Sequence, residues 1–212
     1  MKLIIFGPPA VGKGTQAARV SATHAIPHLS TGEMLRAAIA QGSRIGKRAK
    51  AIMDRGGLVP DGIVVSIVDA RIAEADCENG FILDGFPRTL RQAKSFDRIL
   101  KRRKLTLDAV IVIEADEAAL IKRVENRAKE ARESGKPVRS DDDPEIFKQR
   151  LKTYRSETAP VLPYYRKQGK IRAIDGMKPI DDVTAQIESA LTSPPRKRSW
   201  FQWLFAASAS AR

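Results

Sequence analysis

The stretch Gly7-Pro8-Pro9-Ala10-Val11-Gly12-Lys13-Gly14-Thr15 decides how the rest of the chain is organised. It follows an apolar run, Leu3-Ile4-Ile5-Phe6, and precedes Gln16–Val20, which has the character of a helix. A strand, a glycine-rich loop and a helix start, in this order, are typical of a loop that binds phosphate. Glycines allow positive φ, so successive backbone N–H groups can point at one anion, and the helix N-terminus adds partial positive charge. The stretch therefore predicts a phosphate site after the first strand.

Two side chains of this loop extend the prediction. Lys13 supplies a full positive charge, and the hydroxyl of Thr15 can reach a Mg²⁺ ion that accompanies the phosphate. In the general pattern the hydroxyl residue follows the lysine directly, whereas here Gly14 lies between them. Position 10 is an alanine, which adopts positive φ less readily than glycine does, so we expect an ordinary φ there.

The composition excludes several classes of protein. A length of 212 residues, with 42% hydrophobic and 30% charged residues, is typical of one globular domain with small insertions. Cys77 is the only cysteine, so an intramolecular disulfide and a cysteine-rich zinc site are excluded. No apolar run approaches the ~18 residues of a membrane span. Because the chain enters a strand without a charged and apolar leader, we expect no signal peptide and a cytoplasmic protein.

A net charge of +13 is typical of proteins that bind an anionic partner or substrate. The tail from Pro194 onward carries Arg196, Lys197, Arg198 and Arg212 without any acidic residue, and the remaining excess is spread along the chain. We find neither an aromatic RNA-binding signature nor a helix-turn-helix pattern. The charge therefore favours phosphate-rich small molecules over nucleic acid.

Short apolar runs alternate with segments of helical period along the chain. Four strands are predicted, at Lys2–Phe6, Phe81–Leu83, Ala109–Ile113 and Lys170–Ile174. Helices are predicted to start near Lys13, Ser30 or Thr31, Ser43, Asp61, Thr89, Asp116, Pro144 and Pro179, with the one from Pro144 disturbed near Pro160 and Pro163. This alternation predicts an α/β fold, with a parallel sheet and helices on both faces. The polar segments Gly7–Thr15 and Asp84–Arg88 follow two of the strands and should face one crevice.

Four motifs in register give the chain a family resemblance. They are Gly7–Gln16, Leu29-Ser-Thr-Gly-Glu-Met-Leu-Arg36, Asp84-Gly-Phe-Pro-Arg88 with Gln92, and Arg139-Ser-Asp-Asp142 followed by Arg150. From Met1 to about Leu191 the chain resembles the adenylate kinases, in their short-lid form, among the nucleoside monophosphate kinases. The resemblance implies a P-loop NTPase-type fold and reversible transfer of the γ-phosphoryl group of ATP to AMP, giving two ADP. It also implies Mg²⁺ with the ATP and a role in adenine nucleotide homeostasis.

The resemblance assigns roles to the matching residues. Residues implied to bind ATP are Ala10, Val11, Gly12, Lys13, Gly14, Thr15, Arg123, Arg127 and Lys178. Residues implied to bind AMP are Thr31, Arg36, Gly57, Leu58, Val59, Gly85, Phe86, Pro87, Arg88, Gln92, Arg139 and Arg150. Catalysis is assigned to Lys13, Asp84, Arg88, Arg127, Arg139 and Arg150, and the Mg²⁺ ion to Thr15 and Asp84, partly through water. Charged side chains suit this reaction because phosphoryl transfer depends on positioning and electrostatic stabilisation.

The same resemblance divides the chain. It implies a kinase domain at 1–192, with an AMP-binding part at 30–59 and a short lid at 127–142, followed by a basic aromatic tail at 193–212. Since the lid contains no cysteine, we expect no structural zinc. A monomer is expected. The tail is either flexible or weakly docked, or it contacts an anionic membrane or a partner; membrane contact is expected only through this tail.

Two other functions remain open. The first is a kinase for UMP or CMP. Thr31 and Gln92 favour AMP instead, because the Gln92 amide offers both a donor and an acceptor to an adenine edge. The second is a nucleotide-binding module without catalysis, which would have no need to keep Lys13, Arg88, Arg139 and Arg150 together. The side chains of His24, His28 and Cys77 are expected to have surface or packing roles.

Overall fold

The structure is a computed structural model that describes residues 1–135 and 142–192. Its strands are β1 (Lys2–Phe6), β2 (His28–Ser30), β3 (Phe81–Asp84), β4 (Ala109–Glu114) and β5 (Ile171–Asp175). Its α-helices are α1 (Lys13–His24), α2 (Thr31–Ala40), α3 (Arg44–Met53), α4 (Asp61–Arg71), α5 (Leu90–Arg102), α6 (Glu117–Glu133), α7 (Pro144–Thr153), α8 (Leu162–Lys167) and α9 (Ile180–Thr192). The five strands form one sheet in the order β2-β3-β1-β4-β5, and every pairing is parallel. The predicted α/β fold is thereby confirmed.

The core lies on both faces of this sheet. Successive side chains of a strand point to opposite faces, and in β1 Ile4 and Phe6 join one buried cluster while Leu3 and Ile5 join the other. Strands that are covered on both sides read as continuous apolar runs. That is why β1, β3 and β4 were visible in the sequence.

The strand β2 was not predicted. It has three residues, and only Leu29 among them is a buried apolar side chain. A segment this short shows neither an apolar run nor an alternation, so periodicity cannot distinguish it from a loop. It pairs with β3 at the edge of the sheet, which brings His28 and Ser30 beside the strand that ends at Asp84.

Most of the predicted helix starts are confirmed, with one correction. The hydroxyls of Ser30, Ser43 and Thr89 accept hydrogen bonds from backbone N–H groups in the first turns of α2, α3 and α5. Asp116 occupies the N-cap position of α6 without a side-chain cap bond. The prediction for Asp61 was wrong, because Pro60 is the N-cap of α4 and the Asp61 carboxylate binds elsewhere.

The predicted disturbance of the helix after Pro144 is confirmed. A π-turn at Tyr154–Thr158 and a 3₁₀ turn at Ala159–Val161 separate α7 from α8. A proline inside a helix removes one N–H donor and clashes with the preceding turn, which accounts for the break around Pro160 and Pro163. The turn has a use at the cleft, because the hydroxyl of Thr158 donates to the carbonyl of Arg88 at 3.0 Å.

Within the described ranges, no helix is long and apolar enough to cross a membrane. Residues 136–141, which are the part of the predicted lid that includes Arg139, and the whole tail from residue 193 lie outside the described residues.

Candidate active site

The loop between β1 and α1 has the backbone that an anion site requires. Gly7 and Gly12 adopt φ of 149° and 97°. A Cβ atom at Gly7 would lie 2.7 Å from the carbonyl oxygen of Ile113 and 2.8 Å from a methyl carbon of Val11, so only glycine fits against β4. The loop therefore approaches the sheet closely at Gly7, and the positive φ at Gly7 and Gly12 is the backbone geometry that allows N–H groups to converge on an anion.

The expectation for position 10 was wrong. Ala10 has φ of 63°, in the left-handed region. A non-glycine residue there costs about 1–2 kcal/mol, so the surrounding loop must hold it in place. Ala10 is partly buried against the same core cluster as Val11, and this packing supplies a reason.

Lys13 begins α1 and turns back over its own loop. Its ammonium group donates to the carbonyl oxygens of Gly7 at 2.9 Å and Pro8 at 2.7 Å. Burial lowers the pKa of Lys13 to about 8; Asp84 opposes this effect, while the positive charges of Arg88 and Arg150 add to it. An anionic ligand between these cations would favour the charged form of the lysine.

Asp84 ends β3 directly beside the phosphate loop. A Cβ atom placed on Gly14 would lie 3.7 Å from a carboxylate oxygen of Asp84, so the two strand ends do share one crevice, as predicted. Burial works to raise the pKa of Asp84, but the nearby His28 side chain and the charge of Lys13 outweigh it, and the pKa lies below its usual value. This carboxylate is therefore ionised at neutral pH.

His28 is a neighbour of the site that the sequence did not reveal. We expected a surface or packing role, whereas its Nε2 atom lies 3.5 Å from the Asp84 carboxylate and its side chain is only 18% exposed. Its position follows from the pairing of β2 with β3, and that pairing was invisible because β2 itself was missed. By contrast, His24 lies away from the cleft, where its Nε2 atom is 2.8 Å from a carboxylate oxygen of Glu188. Cys77 is buried, and this burial raises the pKa of its thiol to about 11.

Most of the site residues that were predicted from the sequence line one cleft of about 680 Å³. Its walls include Ala10, Val11, Gly12, Lys13, Gly14, Thr15, Arg36, Leu58, Asp84, Gly85, Phe86, Pro87, Arg88, Arg123, Arg127, Arg150 and Lys178. They come from the β1–α1 loop and the start of α1, from α2, the α3–α4 loop, the end of β3 and the turn after it, α6, α7 and the β5–α9 turn. The cleft is thus lined by one phosphate loop and by cations from several separate elements.

A smaller cavity of about 40 Å³ shares Leu58, Gly85 and Arg88 with this cleft. The other predicted AMP residues that line it are Thr31, Gly57, Val59 and Gln92. Every residue predicted to bind AMP therefore lines one of the two spaces, apart from Arg139, which the structure does not describe.

Two arginines on α6 are held by oxygen atoms at the cleft wall. Arg123 donates to the carbonyls of Val11 at 3.1 Å and Gly176 at 2.7 Å, which ties α6 to the phosphate loop. Arg127 pairs with Asp142, whose carboxylate is 1% exposed. Both guanidinium groups are thereby kept at the wall of the cleft.

The smaller cavity contains a hydrogen-bond network around Gln92, which is 1% exposed. The backbone N–H of Arg88 donates to Gln92 Oε1 at 2.7 Å, and Gln92 Nε2 donates to Asp61 Oδ1 at 2.8 Å. The hydroxyl of Thr31 donates to the carbonyl of Gly85 at 2.9 Å. Asp61 was missed as a site residue because its place before an apolar helix resembled a cap.

The side chains at the site offer oxygen atoms as possible metal ligands, and positive charges. Among residues 1–135 and 142–192, no group of three or more histidine, cysteine, aspartate or glutamate side chains could hold a metal ion. An ion that is held largely by phosphate and water needs fewer protein ligands, and Thr15 and Asp84 both face the cleft.

The adenylate kinase family model matches residues 5–170 of the chain. The chain belongs to the adenylate kinase family. An adenylate kinase of Brucella ovis is 56% identical over 191 residues, which cover 90% of this chain and 98% of the relative. Adenylate kinases of Xanthobacter autotrophicus and Methylorubrum populi are each 53% identical over the same length, with 98% and 96% of the relatives covered. Membership of this enzyme family confirms the resemblance seen in the four motifs, and it does not favour a UMP or CMP kinase.

Proposed function

We propose that this chain transfers the γ-phosphoryl group of ATP reversibly to AMP and so forms two ADP. The observation that carries the proposal is the cleft, where a glycine-rich phosphate loop lies opposite cations from α2, α6, α7 and the end of β3. Two nucleotides bring many negative charges together, and such a ring of cations is what would hold them. Membership of the adenylate kinase family supports the same reaction.

On the ATP side, the backbone of Ala10–Thr15 would hold the phosphates and Lys13 would neutralise the β- and γ-phosphates. Arg123 and Lys178 would contact the nucleotide, and Arg127 its phosphates. A Mg²⁺ ion, when bound, would neutralise phosphate charge. Thr15 and Asp84 fit such an ion because both present oxygen atoms to the cleft and the Asp84 carboxyl is held ionised.

On the AMP side, Arg36 and Arg88 would grip the phosphate. The guanidinium group is planar and forms two parallel hydrogen bonds to an anion, which suits a phosphate that must be aimed at its partner. Thr31, Gln92 and the segment Gly57–Val59 would surround the base, with Gly85, Phe86 and Pro87 forming the floor between base and phosphate.

Catalysis would come from positioning and charge. In phosphoryl transfer the transition state spreads charge over the moving oxygens, and little covalent chemistry is required of the protein. Lys13, Arg88, Arg127 and Arg150 would stabilise this charge from different walls of the cleft. Arg139 is proposed to join them on the strength of its motif alone.

On the same resemblance we propose that the protein is a monomer in the cytoplasm. There it would act on ATP, AMP and ADP and would not bind nucleic acid. An AMP-binding part at 30–59 and a short lid at 127–142 would belong to one domain at 1–192.

The test is phosphoryl transfer from Mg-ATP to AMP, UMP, CMP and GMP in parallel. We expect AMP to be the preferred acceptor, with turnover that falls at least ~10²-fold in Lys13→Met and is retained in Lys101→Met, a control on the exposed end of α5. Preference for a pyrimidine nucleotide would preserve the mechanism and overturn the assignment of Thr31 and Gln92. Absence of transfer to every acceptor would favour a nucleotide-binding module without catalysis.

A further inference from the structure

The side-chain amide of Gln92 is held by two groups of opposite kind. The backbone N–H of Arg88, which can only donate, lies 2.7 Å from Oε1. A carboxylate oxygen of Asp61, which can only accept, lies 2.8 Å from Nε2. Turning the amide by 180° would set a donor against a donor and an acceptor against an acceptor. Only one of the two amide orientations therefore satisfies both neighbours.

Asp61 is itself fixed in place. The hydroxyl of Thr89 lies 3.1 Å from both of its carboxylate oxygens, and the same hydroxyl accepts from the backbone N–H of Gln92 at 3.1 Å. This places α4, the cap of α5 and the Gln92 amide in one connected network. Gln92 is 1% exposed, so water cannot easily replace a partner that is lost.

From this geometry we propose that Asp61 is a positioning residue that determines which nucleobase the site accepts. It does so by fixing the direction of the Gln92 amide. The inference rests on the proposed function, because it concerns the acceptor nucleotide of that reaction. Asp61 does not touch the base in this account and acts only through Gln92.

The fixed amide has a defined remaining capacity. An amide oxygen has two lone pairs and an amide nitrogen has two hydrogens. Arg88 uses one lone pair and Asp61 uses one hydrogen, so one acceptor and one donor remain for a ligand. They match a base edge that carries an amino group next to an unprotonated ring nitrogen, as adenine does. Hypoxanthine has the same size and the reversed edge, with a carbonyl next to a ring N–H, and would require the reversed amide.

The experiment compares AMP with IMP as acceptors, since the two nucleotides differ only in the direction of this edge. In the unchanged enzyme we expect kcat/KM for AMP to exceed that for IMP by at least about 100-fold, because buried polar groups left unpaired are costly. Asp61→Asn can offer Gln92 either a donor or an acceptor, while its carbonyl still serves Thr89. Because the backbone N–H of Arg88 still favours the original direction of the amide, we expect this variant to lower the AMP/IMP ratio by about threefold to tenfold.

A matched control separates this role from a structural one. Asp69 also ties α4 to α5, through Arg102 at 2.5 Å and Arg103 at 2.7 Å, and it does not contact Gln92. Asp69→Asn should therefore lower the thermal stability without changing the AMP/IMP ratio. An unchanged ratio in Asp61→Asn, in an enzyme that still uses AMP, would overturn the inference and leave the proposed function intact. Failure of the unchanged enzyme to use AMP would overturn both.

A second measurement does not depend on how the variant folds. In the NMR spectrum of the unchanged protein, the Nε2 proton of Gln92 that donates to Asp61 should exchange slowly with solvent before and after AMP is added. Rapid solvent exchange of both Nε2 protons would show that the amide is not clamped, and the inference would fail.

Discussion

The phosphate side and the base side of the cleft are built differently. The phosphate side is centred on one continuous stretch, Gly7–Thr15, whose backbone N–H groups and Lys13 ammonium group are proposed to bind the ligand, and Arg36 and Arg88 add cations to it. The base side is assembled from α2, α4 and α5, and it depends on side-chain amide and carboxylate groups that are fixed by one another. Charge attracts any phosphate, whereas a hydrogen-bonding edge has a direction. Changes on the phosphate side should thus affect the rate with every acceptor, and changes on the base side should affect selectivity.

The largest effect should come from the phosphate side. Lys13→Met removes the charge that the loop presents to ATP, and we expect kcat to fall at least ~10²-fold, or about 3 kcal/mol of transition-state stabilisation. The AMP/IMP ratio should stay unchanged, because the residue does not reach the base-side network. Steady-state kinetics with both acceptors would measure this. Near-normal turnover would mean that the site is wrongly assigned.

The same variant should be more stable than the unchanged protein. Burial lowers the pKa of Lys13 in the folded state to about 8, below its value in the unfolded chain. The charged lysine therefore destabilises the fold fully below pH 8, and this penalty disappears as the pH rises from about 8 toward about 10.5. Lys13→Met should raise the melting temperature at pH 7, and the difference should shrink by pH 10. A lower melting temperature at pH 7 would contradict the burial argument.

Arg88 belongs to both sides of the cleft and allows them to be separated. Its guanidinium group faces the cleft, while its backbone N–H holds Gln92. Arg88→Lys loses the two-point grip on phosphate and keeps the backbone, so kcat/KM should fall at least about tenfold for AMP and IMP alike. The exposed neighbour Arg91, changed to Lys, provides the control. A change in the AMP/IMP ratio would show that the two sides are coupled through the side chain.

A pH profile should report on the phosphate side alone. Because the pKa of Lys13 in the free site is about 8, ATP binding must take up a proton at higher pH. We expect the Kd for ATP to be flat below pH 8 and to rise above it, by up to about tenfold per pH unit. Calorimetric titration in buffers of different ionisation enthalpy would detect the proton uptake. Lys13→Met should show neither the rise nor the uptake, and a rise that persists in this variant would assign it to another group.

The difference between the two sides also explains what the sequence could predict. The residues of the phosphate loop follow one another in the chain, so the sequence showed the order of strand, glycines and lysine. The two strand-end motifs were correctly predicted to face one crevice. The base side joins residues separated by tens of positions, and Asp61 was interpreted as a helix cap because its local context allows that. Its carboxylate instead meets Gln92, a partner that becomes visible only once α4 and α5 pack together.

Two other failures have local causes. The strand β2 is too short to show a period, so the sequence did not predict it. Because β2 was missed, the position of His28 beside Asp84 was missed as well. The φ of Ala10 was judged from the preference of alanine, and a weak local preference gives way to tertiary packing when the loop is fixed at both ends. Roles that rest on Arg139 and on the tail at 193–212 stay predictions, since these residues lie outside the described ranges.

The smallest effect should come from relieving the backbone at Ala10. Glycine adopts φ of 63° without the Cβ penalty but loses more conformational entropy on folding, so Ala10→Gly should raise the unfolding free energy by at most about 1 kcal/mol. Ala25, with φ of 50° at the exposed end of α1, is a matched control away from the cleft. Both variants should gain stability in denaturant titrations, while only Ala10→Gly should raise the KM for ATP, because a freer loop is less organised for phosphate. If Ala25→Gly gains stability and Ala10→Gly loses it, the packing of the Ala10 methyl group outweighs the strain, and the phosphate loop would depend on side-chain contacts as the base side does.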